Sequence, residues 1–223
     1  MFKFSKLREG VYELRFNDSF QMCMTFLRYQ EFYESPRYHD KKFTIAEFMT
    51  WYSKEQGEDG HFSYASGDWG GFNIPVEVIK QVFDMGLEDP NQYDQLMYAI
   101  YRLIKMETRE AYLIGVMDDG VLDVHEMTHA MFYLDHSYRD RCLGIIHMTD
   151  PELLDLMREV LFAKGYTEKT FYDEVQAYLT EGGKIFEKSE KLEPFEGRFQ
   201  DLQAKLKAVH DEHYPRFIKD IAK

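Results

Sequence analysis

Apolar and polar positions along this chain follow a short β-like alternation near the start, then mostly the three-and-four spacing of helices. Val11 to Phe16 alternates and predicts a strand. From Phe20 to Tyr33 the residues Phe20, Met24, Leu27, Tyr29 and Phe32 keep helical spacing, and Ser35-Pro36 ends the run. Thr44 with Glu47 has the form of a capping box opening a helix over Ile45 to Gln56. Gly57 to Pro75 reads as a glycine-rich loop that carries His61, Tyr64, Trp69, Phe72 and Asn73. Such aromatics either line a pocket or plug the edge of a core, and packing is their commoner use. Val76 to Leu87 and Pro90 to Met106 predict two helices, with Pro90 suited to a first turn. Ala111 to Val116 is β-like and leads into a turn at Asp118-Asp119-Gly120. In the next segment Leu122, His125, Glu126, His129, Phe132 and Tyr133 recur at helical offsets. Asp150-Pro151 opens a helix that Gly165 ends, and Thr167 opens another over Glu168 to Glu181, closed by Gly182-Gly183. Lys184 to Pro194 is charged and reads as a solvated linker. Phe195 onward is a long amphipathic helix striped by Phe199, Leu202, Leu206 and Val209, which Pro215 should break or kink.

These elements predict an α+β fold, mostly α. Residues 1–183 show no strong internal boundary and are expected to form one domain, with a helical part over 1–108 and a second part over 109–183. Residues 184–223 are expected to be a linker and a C-terminal helix.

Composition narrows the classes. With 44% hydrophobic and 16% aromatic residues in 223, there is ample material for a packed core. A net charge of −13 argues against nucleic acid as a partner, because phosphate binding needs a basic face. Two cysteines, Cys23 and Cys142, make no disulfide framework. The first residues lack the pattern of a cleavable signal, so a cytoplasmic location is expected. No apolar run approaches the ~20 residues that would span a bilayer, so no membrane role is expected.

The candidate chemistry lies in His125-Glu126-Met127-Thr128-His129, an HExxH pattern. Positions four apart share one helix face, so two imidazoles there can bind one zinc ion, with Glu126 placed to reach a water on it. The bland alternative is a helix with two buried, hydrogen-bonded histidines. Catalytic zinc takes three protein ligands and keeps a fourth position open, so a third ligand is required. Glu174 is the first candidate, because Phe171, Glu174, Val175 and Tyr178 form one apolar stripe and a carboxylate facing a core needs a cation or donors. A glutamate on the flank of its stripe, paired with Lys or Arg, is the competing reading. Asp135 stands where one zinc-peptidase pattern places its third ligand. The apolar run from Ala130 to Leu134 predicts that the helix continues and turns Asp135 away. His136 and His147 rank lower, and His210 with His213 share a face of the C-terminal helix. Cys23 is a conceivable inhibitory ligand, although a buried thiol is the simpler reading.

HEMTH on a helix, followed by a second helix with Glu174, resembles the gluzincin group of zincin metallopeptidases over residues 109 to 182. The resemblance implies an HExxH helix packed on a small sheet, His125, His129 and Glu174 as Zn²⁺ ligands, and Glu126 as general base and acid. In many gluzincins an Asp four residues beyond the zinc glutamate orients a ligand histidine; here Tyr178 holds that place. The resemblance further implies that the strand before the active-site helix, Tyr112 to Val116, is a sheet edge that pairs with extended substrate. Zinc acidifies its water and polarises the scissile carbonyl, and Glu126 carries the proton to the leaving amine. Tyr178, Tyr214, His210 and His213 are the candidates for a second oxyanion donor. The expected function is a zinc-dependent peptidase or amide hydrolase acting on a peptide or protein. Two other functions compete with it. One is a non-haem iron protein, since Glu126 to His129 is also an ExxH; its partner motif, Glu58 to His61, lies in a glycine-rich loop. The other is a non-enzymatic interaction domain with a vestigial or structural metal site.

Overall fold

The computed structural model describes residues 2–65, 70–118, 123–187 and 189–219, without the side chains of Glu58 and Glu187. The fold is α+β and mostly helical. Trp69, the turn at Asp119-Gly120 and Leu122 lie outside the described residues. The chain divides into two compact units, Met1–Glu126 and Met127–Lys223.

The first unit holds a four-stranded sheet. Strands β1 (Phe2–Arg8) and β2 (Val11–Phe16) form a hairpin turned by Gly10 at φ 78°. Strand β3 (Gly71–Pro75) runs antiparallel to β4 (Tyr112–Met117), and β4 runs parallel to β2, giving the order β1-β2-β4-β3. The Tyr112 to Val116 strand is therefore central rather than an edge, which corrects the expectation above. Its first five residues are all buried, as a strand covered on both sides requires. The edge role falls to β3, inside the stretch that reads as a loop. Glycine and proline bound this five-residue strand and hide its alternation. β1 is a further strand, exposed or half-buried along its whole length, so it has no buried face to mark it.

Helix α1 (Ser19–Glu34) starts on Asp18, which accepts a hydrogen bond from the Gln21 amide, and packs on the sheet. Phe26 stacks on Phe72 at 5.3 Å and fills the space beside Gly115, where an added Cβ would lie 2.2 Å from its ring. Helix α2 (Ile45–Glu55) has the Thr44–Glu47 capping box. A 3₁₀ turn at Glu58–Gly60 and helix α3 (Val76–Asp84) follow. Helix α4 (Gln92–Glu107) is opened by an Asn91–Asp94 capping box instead of Pro90. Tyr64 and Phe72 are fully buried among Phe48, Tyr52 and Phe62, so these two loop aromatics plug the core.

The unit boundary falls in the first turn of α5 (Val124–Leu134). The second unit continues with α6 (His136–His147), α7 (Pro151–Ala163), α8 (Phe171–Thr180), α9 (Lys184–Glu187), a 3₁₀ turn at Glu190–Phe195 and α10 (Glu196–Phe217). Helix α8 begins at Phe171 because Thr167 to Thr170 closes a turn of its own. The expected linker is instead short helical turns that bury Phe186 and Leu192. Helix α10 runs through Pro215, ends at Phe217 and packs on α6 and α8. No helix among the described residues is long and apolar enough to cross a membrane.

Candidate metal centre

Helix α5 is started by Asp123, whose carboxylate accepts from the Glu126 amide at 3.1 Å. Met127, Ala130 and Met131 form its fully buried stripe. His125 and His129 lie one turn apart, and a ligating atom from each, with one from Glu174, falls within a 4.8 Å group. Glu174 is 3% exposed, as its place in the α8 stripe predicts. Its Oε1 lies 3.7 Å from His129 Nε2. Tetrahedral zinc with bonds of about 2.0–2.2 Å separates neighbouring donor atoms by about 3.3–3.6 Å, close to the 3.7 Å between Glu174 Oε1 and His129 Nε2. The chemistry of the donor set fits as well, being two imidazoles and one carboxylate.

His129 is oriented from the same helix that carries Glu174. Asp173 Oδ1 lies 2.9 Å from His129 Nδ1. The approach is short but bent, an electrostatic hold more than a straight hydrogen bond. With Nδ1 on the Asp173 side, Nε2 is the ring nitrogen on the Glu174 side. Gln176 donates to Asp173 Oδ1 at 2.8 Å, and Tyr138 donates to Gln176 Oε1 at 2.6 Å. Asp173 thus lies beside the His129 ring nitrogen that faces away from Glu174, from a position one residue before the glutamate rather than four after it. Sequence reading missed it because it precedes Glu174 and the pattern looks after. Tyr178 instead shares a 2.8 Å hydroxyl–hydroxyl hydrogen bond with Tyr166.

Glu126 is held from the sheet. Asn73 Nδ2 donates to Glu126 Oε2 at 2.6 Å, and the Tyr112 hydroxyl donates to Asn73 Oδ1. Glu126 and Asn73 are buried, at 6% and 8% exposure. A Cβ added at Gly71 would lie 2.6 Å from Glu126 Oε1. Asn73 stood in the sequence reading only as a loop residue, and Gly71 and Tyr112 carried no such role.

The remaining candidates are occupied elsewhere. Asp135 separates α5 from α6 with φ −94° and ψ 93°, so the helix does not continue through it as expected. It caps α6 by accepting from the Tyr138 amide and lies 3.0 Å from His213 Nδ1. Burial raises the Asp135 pKa, but hydrogen bonds from His213 and the Tyr138 amide outweigh that and hold it below the usual range. His213 Nε2 accepts from Arg141 at 3.1 Å. His210 stacks on Tyr214 and lies 3.2 Å from Thr128 Oγ1; burial lowers its pKa, favouring the neutral ring. His136 and His147 are exposed. Cys23 is buried in the first core, which pushes its thiol up to about 11 and disfavours a metal-binding thiolate. His61, from the second ExxH, is exposed and absent from the metal group found among the described residues.

Comparison with protein-family models, curated proteins and solved structures finds no match.

Proposed function

We propose that this chain is a zinc-dependent hydrolase of peptide or amide bonds, built on a zincin-like plan. The observation that carries this reading is the convergence of His125, His129 and the buried Glu174, with Glu126 adjoining the first histidine. The hydrogen bond from Asn73 on β3 to Glu126 supports the zincin-like plan, because it ties the first turn of the HExxH helix to the sheet's edge strand. His125 Nε2 or Nδ1, His129 Nε2 and a Glu174 oxygen would hold the ion. Bound there, zinc supplies Lewis-acid polarisation and acidifies water to near neutrality.

The chain's own residues do the rest. Glu126 takes the proton of the attacking water and delivers it to the leaving nitrogen. Asp173 keeps His129 in the tautomer that presents Nε2. The outer edge of β3 offers main-chain groups to which an extended peptide adds as a further strand. Metal content measured on the purified chain, with hydrolysis of a peptide library by wild type and Glu126→Gln, tests the reading. It expects about one zinc per chain and turnover lost in the variant. Two irons per chain, or hydrolysis untouched by Glu126→Gln, overturns it.

A further inference from the structure

We infer that Asn73, anchored by Tyr112 and given room by Gly71, is a positioning residue that fixes the carboxylate of Glu126; its catalytic consequence rests on the hydrolase reading above. A glutamate on a helix has three side-chain torsions, and its terminal one is broad and nearly two-fold. As a general base it needs one orientation, since proton transfer requires hydrogen-bond reach to a particular water. Nothing in HExxH itself supplies that restraint.

The edge strand supplies it. Asn73 Nδ2 holds Glu126 Oε2 at 2.6 Å, in a site where both residues are nearly excluded from water. A hydrogen bond to a carboxylate is charge-assisted and stronger than a neutral one. An asparagine amide can flip, and a flipped one would set oxygen against oxygen. Tyr112 prevents this, because its hydroxyl donates to Asn73 Oδ1 and leaves the NH₂ end for Glu126. Tyr112 sits on central β4, whose neighbour β3 carries Asn73, so the anchor is built into the ladder. Gly71 completes the device. It lies two residues before Asn73 and so faces the same side of β3. A side chain there would meet Glu126 Oε1 at 2.6 Å and its Cδ and Cγ at 3.1 Å. Its φ is not positive, so space rather than backbone conformation requires glycine. One oxygen is thus gripped and the other given clearance by a single five-residue strand.

Two measurements on the full chain test this. The first is independent of turnover: the side-chain amide protons of Asn73, followed by NMR in ¹⁵N-labelled protein. They should be shifted downfield and slow to exchange, and both features should disappear in Glu126→Ala. An Asn73 amide unaffected by Glu126→Ala overturns the inference, whatever the chain hydrolyses. The second compares Asn73→Asp with Tyr112→Phe in zinc-loaded protein. Asn73→Asp keeps an acceptor for Tyr112 but replaces the donor with a second carboxylate. It should lower kcat about 10- to 100-fold, with KM and zinc content within about twofold. Tyr112→Phe keeps the donor and should lower kcat less. If the pair only joined two strands, Asn73→Asp would be the milder change; that order, or an unchanged kcat, overturns the inference. A wild-type chain with no hydrolysis would remove the hydrolase reading alone, and the amide measurement would still decide whether Asn73 holds Glu126.

Discussion

Glu126 and His129 share helix α5, yet unlike structures support them. Glu126 is gripped by Asn73, which Tyr112 holds in turn, and all three belong to the first unit, where a sheet ladder fixes the neighbours. His129 faces Asp173 and Glu174, side by side at the start of α8 in the second unit, with Gln176 and Tyr138 behind them. The strand-borne support is short and neutral up to the carboxylate itself. The helix-borne support is acidic, which would suit the proposed role of His129 in facing a cation. On the proposed reading a proton carrier needs aim, whereas a ligand needs charge balance, and the neighbours of Glu126 and His129 suit those two needs.

The largest effects should come from breaking the cation side. His125→Ala, His129→Ala or Glu174→Ala each removes one of the three proposed ligands and should abolish tight zinc binding. Asp135→Ala should keep the metal, since Asp135 is engaged by Tyr138 and His213. Dialysis against a competing chelator followed by elemental analysis reads this directly. Stoichiometric zinc in all three alanine variants would dissolve the comparison by removing the metal from it.

Next comes the aimed residue. Glu126→Gln keeps the shape and its neighbours, so zinc should stay bound while turnover falls by about 10² to 10⁴. Zinc loss in this variant would show that Glu126 belongs with the ligands after all, and that the two supports serve one purpose.

How far these supports are legible follows from their physics. The three residues of the candidate metal group can be found in the chain because a helix converts spacing into facing: 125 with 129, and 171 with 174, 175 and 178. Asp173 is invisible to that logic, since adjacent helical residues diverge by about 100° and only tertiary packing brings Asp173 and Glu174 to one ring. Asn73 is harder still. A five-residue edge strand framed by glycine and proline has too little alternation to register, and its partner Tyr112 lies 39 positions away. The loop aromatics Tyr64 and Phe72 were readable as core material by type, yet the same reading concealed the strand that Phe72 belongs to. The central position of β4 depends on pairing partners contributed from both sides, a long-range fact that no local window contains.

A milder change sharpens the helix-borne side. Asp173→Asn retains size and one acceptor but removes the charge beside His129 Nδ1. Partners of this kind commonly contribute 10- to 100-fold in metal affinity or activity, and a weakening of zinc binding in that range is expected. Competitive titration with a zinc-sensitive dye gives the number. An affinity equal to wild type would mean that Gln176 and the packing of α8 orient the histidine without help from Asp173.

The smallest expected effect concerns acid, and it asks whether the second unit's reliance on carboxylates extends beyond the metal residues. Asp135 caps α6 and lies 3.0 Å from His213, which also meets Arg141, itself paired with Glu212. Its pKa is lowered in the folded chain, net of the opposing effect of burial. A group depressed on folding contributes stability that is present above its unfolded pKa, near 3.9, and lost as pH falls through the lower folded value. Asp135→Asn retains a good helix cap while deleting the charge, so it isolates that contribution. Wild type should exceed the variant by up to about 1 kcal/mol at pH 7, and the gap should close towards pH 3. Urea midpoints of both chains at each pH measure it, and comparing the two chains at one pH cancels the effect of losing metal in acid. A gap of the same size at pH 3 would show that Asp135 acts by shape and hydrogen bonding alone, and would confine the charge-based support to the residues around His129.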